Sequence, residues 1–299
     1  MKKIIFVLCF IIAFSFPAKA EALSLSAASA ILIDAQTGKV IYEKNADRKM
    51  PMASTTKIMT AICTLDNINS NVPIIVNSDA AGIEGSSIYL KAGEKITIKE
   101  LLCGMLLNSG NDAATALALE VGGSLSGFAK IMNKTAKKIG AASSNFTNPS
   151  GLYEENHYTT ARDLAKIASH AMKNPLIRWM VSTKEMKISN GEIKGGRFLK
   201  NHNKLLWQYE GCTGIKTGYT KKCGRCLVSS AKRDGKELIA VTLNAPDDWR
   251  DHTALFNYGF GKDTAPSGAG SQKKEKNNPI KNVFTVLFGR GRWFRPFFA

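Results

Sequence analysis

The chain has 299 residues, 44% of them hydrophobic, enough for one large domain or two ordinary ones. Its net charge is +17, and +14 once Lys2, Lys3 and Lys19 are set aside. No aromatic-basic nucleic-acid motif accompanies that charge, which excludes nucleic acid and leaves wall polymers or acidic lipid headgroups as anionic partners.

The N-terminus has the three parts of a secretory signal. Lys2-Lys3 is basic, Ile4 to Phe16 is apolar, and Ala18-Lys19-Ala20 is a small-x-small cleavage site. The apolar run is 13 residues, short of the ~20 that a crossing helix needs. The mature chain is expected to begin at Glu21, outside the cytoplasm. Cys9 leaves with the signal, so Cys63, Cys103, Cys212, Cys223 and Cys226 remain. Cys63 and Cys103 sit in apolar helical runs and read as buried small hydrophobes. Cys223-x-x-Cys226 lacks a second ligand pair. It reads as structural, or as one local disulfide with Cys212, in preference to a metal site.

Ala28 to Asp34 and Lys39 to Asn45 read as two strands joined at Asp34-Ala35-Gln36-Thr37-Gly38. A polar loop, Asp47 to Met52, leads to a helix. Its apolar positions Ile58, Ile62 and Leu65 recur at i, i+4 and i+7, and Met59, Ala61 and Cys63 fill in the rest. This predicts a buried central helix. Val72 to Val76 is a short strand and Ala80 to Gly93 a loop. Helices follow over Ile98–Leu107, Asp112–Val121 and Phe128–Ile139, the last ended by Gly140. Asn145 to Tyr158 is turn-rich and contains Asn148-Pro149-Ser150-Gly151. Thr160 caps a helix with Asp163 at its third position. Residues 66–180 are thus mostly helical. Strands return at Thr183–Ile188, Thr213–Tyr219, Cys226–Lys232 and Glu237–Leu243, the last two joined by the hairpin turn Asp234-Gly235. A helix over Trp249–Tyr258 closes the domain. This order predicts an α+β fold, an antiparallel sheet covered by the first and last helices with a helical subdomain inserted. A linker follows over 263–278, rich in Gly, Ser and Lys.

The chemistry-bearing stretch is Ser54-Thr55-Thr56-Lys57. Ser54 and Lys57 lie three apart at a helix start, on one face and within mutual reach. A hydroxyl is a poor nucleophile until a base takes its proton. Burial and the positive end of the helix dipole both disfavour an ammonium, so Lys57 can be that base. Ser-x-x-Lys recurs at Ser229–Lys232 and Ser271–Lys274. The first lies on a strand, where i and i+3 face opposite ways, and the second in the linker. Ser109-Gly110-Asn111, in a tight connection between helices, and Lys216-Thr217-Gly218, at the end of a strand, are each weak alone. Ser143-Ser144-Asn145 matches the former equally well.

In combination and in this order, the three elements make the set shared by penicillin-binding proteins and class A β-lactamases, with Ser-Gly-Asn in place of Ser-Asp-Asn. Over about 25–262 the chain resembles the D-alanyl-D-alanine carboxypeptidases, low-molecular-weight penicillin-binding proteins of the serine D,D-peptidase family. Runs 54–60, 108–114, 160–165 and 214–220 carry the likeness. The resemblance implies a β-lactamase/D,D-peptidase-like fold over 21–262 and removal of the terminal D-alanine from peptidoglycan stem peptides. The route is an acyl-enzyme that β-lactams also form. No cofactor or metal is implied. Ser54 is then the nucleophile, Lys57 its base, and Ser109 the relay toward the leaving amine. Asn111 holds the substrate amide, Lys216 and Thr217 the terminal carboxylate. The residue following Gly218, Tyr219, joins Ser54 in offering backbone N–H groups to the oxyanion. Arg250 falls about where the family places a carboxylate-binding arginine.

The rival readings are a β-lactamase, for which Glu154 or Glu155 would have to deacylate the enzyme, and a non-catalytic β-lactam sensor. Many family members carry a β-rich second domain, for which Asp263 to Ala299 is too short. Residues 279–299 interleave Phe284, Phe288, Trp293 and Phe297 with Lys281, Arg290, Arg292 and Arg295. They read as a peripheral membrane anchor, or else as a tail that meets anionic wall polymer.

Overall fold

The computed structural model describes residues 23–189 and 195–261. The signal segment, the linker with its Ser271–Lys274 pair and the 279–299 tail lie outside the described residues. The elements are β1 (Ser29–Asp34), β2 (Val40–Lys44), α1 (Lys57–Asn67), β3 (Pro73–Ile75), β4 (Lys95–Thr97), α2 (Ile98–Leu107), α3 (Asn111–Gly122), α4 (Leu125–Ile139), α5 (Ala161–Ala171), α6 (Pro175–Ser182), β5 (Glu185–Ile188), β6 (Arg197–Lys200), α7 (Leu205–Gln208), β7 (Cys212–Thr220), β8 (Gly224–Arg233), β9 (Lys236–Leu243) and α8 (Asp248–Gly259). A 3-10 turn, Ala53–Thr56, precedes α1.

Five strands form one antiparallel sheet in the order β2-β1-β9-β8-β7. Strand side chains alternate between faces, and here both faces are buried. Ile31, Ile33, Val228, Ile239 and Val241 join the core shared with α1 to α6. Ala30, Leu32, Leu227, Leu238 and Ala240 join a second core with Leu255 and Phe256 of α8. Each large apolar side chain so buried is worth roughly 1.5–3 kcal/mol.

The last helix covers the sheet as expected. On the other face α5 lies against β1 and β9, while α1 packs on α3 and α5. The reason is in the patterns. α1 is buried without a break from Lys57 to Thr64, which suits the centre of the domain. α5 buries one stripe, Leu164, Ala165, Ala168 and Ala171, which suits a covering layer. β5 leaves the main sheet to pair with β6. The sequence does not announce β6, because only Leu199 of Arg197–Lys200 is buried.

All five described cysteines are free thiols, so the local disulfide with Cys212 is not formed. Cys212 Sγ instead lies 3.5 Å from Gly214 O. Cys63 and Cys103 are buried, and burial pushes both thiols up to about 12. No helix among the described residues is long and apolar enough to cross a membrane.

Candidate active site

The turn before α1 is strained and tied down. Ala53 sits at φ +47°, a left-handed conformation that costs a non-glycine residue of order 1 kcal/mol or more. The Thr55 hydroxyl donates to Met52 O at 2.6 Å and the Thr56 hydroxyl to Ala53 O at 2.8 Å. His157 braces the turn from across the chain, with Nε2 2.8 Å from Thr56 Oγ1. The Thr147 backbone N–H donates to His157 Nδ1 at 3.0 Å, so Nδ1 is the acceptor and Nε2 carries the proton. Burial holds this imidazole down to about 4, and it is neutral. Gly151 also abuts the turn. It has φ +85°, and a Cβ there would lie 1.9 Å from Ala53 O, so only glycine fits.

Lys57 opens α1 and is fully buried. Its Nζ contacts three oxygens: Ser54 Oγ at 2.9 Å, Asn111 Oδ1 at 2.7 Å and Ser150 O at 2.6 Å. Burial is the main cause that lowers its pKa well below the usual lysine value. The Lys216 charge adds to this, and Asp112 opposes it. Asn111 begins α3, and its Nδ2 donates to Glu84 O at 2.6 Å. Asp112 beside it accepts from Ser87 Oγ at 2.6 Å and from the backbone N–H of Ile88 and Leu90. The start of α3 therefore fixes the 84–90 loop. Ser109, in the α2–α3 connection, sits at φ +61° with 4% exposure.

On the far side runs β7, the edge strand. Gly218 passes so close to Ser54 that a Cβ would lie 3.0 Å from Ser54 N. Lys216 is buried, its Nζ 3.1 Å from Thr217 O, and burial lowers it to about 7. A cleft of about 820 Å³ opens over this arrangement. Ser54, Ser109, Thr217, Gly218 and Tyr219 line it, while Lys57, Asn111 and Lys216 are buried behind.

Two expectations change. Arg250 does not reach the cleft: its side chain is 61% exposed and pairs with Asp247 at 3.3 Å. The guanidinium on the cleft wall belongs to Arg225 of β8. Asn111 directs Oδ1 at Lys57 and Nδ2 at a backbone carbonyl, so it positions the lysine before it can meet a substrate. Glu154 is exposed, hydrogen-bonded to Asn148 Nδ2 at 2.7 Å, and absent from the cleft wall. Sequence reasoning missed Thr56, His157 and Ser150 O. The only signal was Asn148-Pro149-Ser150-Gly151, which reads as a turn without saying what it turns against.

A hydroxyl on a strained helix-entry turn, touching a buried amine of depressed basicity beside an open cleft, has the geometry that serine–lysine acyl transfer requires. Residues 16–247 match the D-alanyl-D-alanine carboxypeptidase family, and the chain belongs to it. Among its relatives, D-alanyl-D-alanine carboxypeptidase DacF of Bacillus subtilis is 40% identical over 228 residues, covering 75% of this chain. The chain spans 58% of that relative's length. The D-alanyl-D-alanine carboxypeptidase of Streptomyces strain K15 is 37% identical over 243 residues, with 75% of this chain and 84% of the relative covered. The crystal structure of the Streptomyces K15 DD-transpeptidase superposes with a TM-score of 0.76 at 35% identity, over 80% of this chain and 98% of that one. The fold is thus that of the penicillin-binding D,D-peptidases.

Proposed function

We propose that the chain is a serine D-alanyl-D-alanine carboxypeptidase that removes the terminal D-alanine of peptidoglycan pentapeptides and is acylated by β-lactams. The observation that carries this reading is the three-oxygen coordination of Lys57 Nζ. An ammonium has three hydrogens for three acceptors, but a neutral amine has two. Asn111 Oδ1 and Ser150 O can only accept, so they take those two. The lone pair then faces Ser54 Oγ, whose proton it can receive.

Each step follows from that. Lys57 takes the Ser54 proton as Oγ attacks the scissile carbonyl carbon. Backbone N–H groups of Ser54 and Tyr219 face the resulting oxyanion, a contribution typically of about 3 kcal/mol per donor. Ser109 relays that proton from Lys57 to the departing D-alanine nitrogen, which restores both groups, with Lys216 behind it. Lys216 and Thr217 hold the terminal carboxylate. A water then attacks the ester and returns the proton to Ser54.

We further propose residues 1–20 as a secretory signal, 21–262 as the catalytic domain, 263–278 as linker and 279–299 as a peripheral anchor on the outer face of the membrane. Flotation with anionic liposomes, with and without 279–299, tests the anchor. Equal flotation refutes it.

The test of function is D-alanine release from a D-Ala-D-Ala-terminated pentapeptide. Release that is lost in Ser54→Ala is expected. Penicillin labelling without any release would make the chain a sensor, and rapid cephalosporin turnover would make it a β-lactamase.

A further inference from the structure

The cleft extends along β7 past what a terminal dipeptide requires. Lys216 and Thr217 precede Gly218, the point of contact with Ser54, and Tyr219 follows it. Tyr219 pairs across the sheet with Arg225. Arg225 therefore lies on the opposite side of Ser54 from Lys216. If the terminal carboxylate lies at Lys216, the peptide upstream of the scissile bond runs toward Tyr219 and Arg225.

Arg225 is held in place. Its Nε donates to Asp248 Oδ1 at 2.9 Å, and its guanidinium lies 5.6 Å over the Trp249 ring. Asp248 is 2% exposed, whereas the Arg225 side chain is 40% exposed on the cleft wall. No other hydrogen bond engages the guanidinium among the described residues. Its terminal nitrogens keep donors for a second acceptor. A guanidinium anchored on one edge and stacked on one face is pre-organised, so less entropy is lost when it grips a ligand. Its fork matches a carboxylate, and Trp249 offers an apolar surface to the methylenes that carry it.

We propose that Arg225 is a specificity-determining residue that binds a second carboxylate, carried on the side chain of the residue just upstream of D-Ala-D-Ala. This rests on the carboxypeptidase reading above. Substrates bearing a free acid there are favoured over the carboxamide by about tenfold, the usual worth of a partly exposed charge-assisted pair.

The test uses two pentapeptides ending in D-Ala-D-Ala that differ only in carboxylate against carboxamide on that side chain. Wild-type chain should prefer the acid about tenfold in kcat/KM, expressed in KM rather than kcat. R225Q should bring the ratio to about one. R225K, which keeps the charge and loses the fork, should fall between. Benzylpenicillin adduct formation counts the competent sites in each variant, so a misfolded protein declares itself. A wild-type ratio near one, or an unchanged ratio in both variants, overturns the proposal. So does an R225Q that instead erases the distinction between free and amidated C-termini. Should neither peptide be hydrolysed, the carboxypeptidase reading fails by itself. Calorimetric titration of both peptides into the Ser54→Ala chain then reads the preference without turnover, and equal affinities overturn Arg225.

Discussion

Among the described residues, Ser54 and Ser229 each touch a buried nitrogen base, and we propose that only Ser54 does chemistry. Ser54 meets Lys57 at 2.9 Å. Ser229 of β8 meets His252 Nδ1 of α8 at still closer range, and His252 Nε2 lies 3.0 Å from Thr242 Oγ1. Burial depresses both bases, His252 to about 3. By contact distance alone, Ser229 would be an equal candidate. It differs in access. Ser229, His252 and Thr242 are all 0% exposed between sheet and helix, so no carbonyl can reach the hydroxyl. Ser54 lines an open cleft with a strand edge beside it. A nucleophile–base contact is therefore a packing solution until a cavity and an oxyanion site adjoin it.

Breaking each pair should separate the two most sharply. Lys57→Ala should slow benzylpenicillin acylation by about 10³-fold, within the usual span for a general base. Stopped-flow acylation reads this, and a loss under tenfold would mean another base. Next in size is the brace under Ser54. Gly151→Ala places a methyl against Ala53 O in a left-handed conformation. It should cost about 3 kcal/mol in urea unfolding and slow acylation as well, because the nucleophile turn must move. Ser229→Ala should have the opposite profile. It leaves a buried imidazole nitrogen unpaired, a loss of about 1–3 kcal/mol, while benzylpenicillin still labels the folded protein in full.

The smallest effects are those of pH. Ser54 acylation should rise with pH through the lowered pKa of Lys57, since only the free amine is a base. Affinity for peptides with a free C-terminal carboxylate should fall above about 7, where Lys216 loses its proton, while amidated peptides should not show that fall. Stability should change in the acid range. His157 and His252 are lowered to about 4 and about 3 in the fold. Below 6.5 the unfolded chain takes up protons that the native imidazoles refuse. Stability is therefore full above 6.5 and drains away as pH falls toward 4 and then 3. Urea midpoints at pH 7.5 and 5.0 check the sign.

The local parts of the site were legible in the sequence. Ser54 and Lys57 are one helical turn apart, and Lys216 to Tyr219 are consecutive on one strand. Two strand pairs were also legible, because the turns at 34–38 and 234–235 set β1 against β2 and β8 against β9, but the pairing of β1 with β9 and the departure of β5 to β6 were not. What was hidden depends on distant packing. Ser150 O reaches Lys57 across 93 residues and His157 reaches Thr56 across 101, and no period encodes such contacts. Arg250 misled for a geometric reason. Asp248 points inward to hold Arg225, and two positions along a helix is a turn of about 200°, so Arg250 faces outward.

The central claim is that Ser54, activated by Lys57, is the acylated residue. Its most direct test is peptide mapping by mass spectrometry after incubating the folded chain with benzylpenicillin. A single adduct on the peptide containing Ser54, absent from Ser54→Ala and unaffected by Ser229→Ala, is the predicted result. An adduct on Ser109 or Ser229, or one that persists in Ser54→Ala, would contradict it.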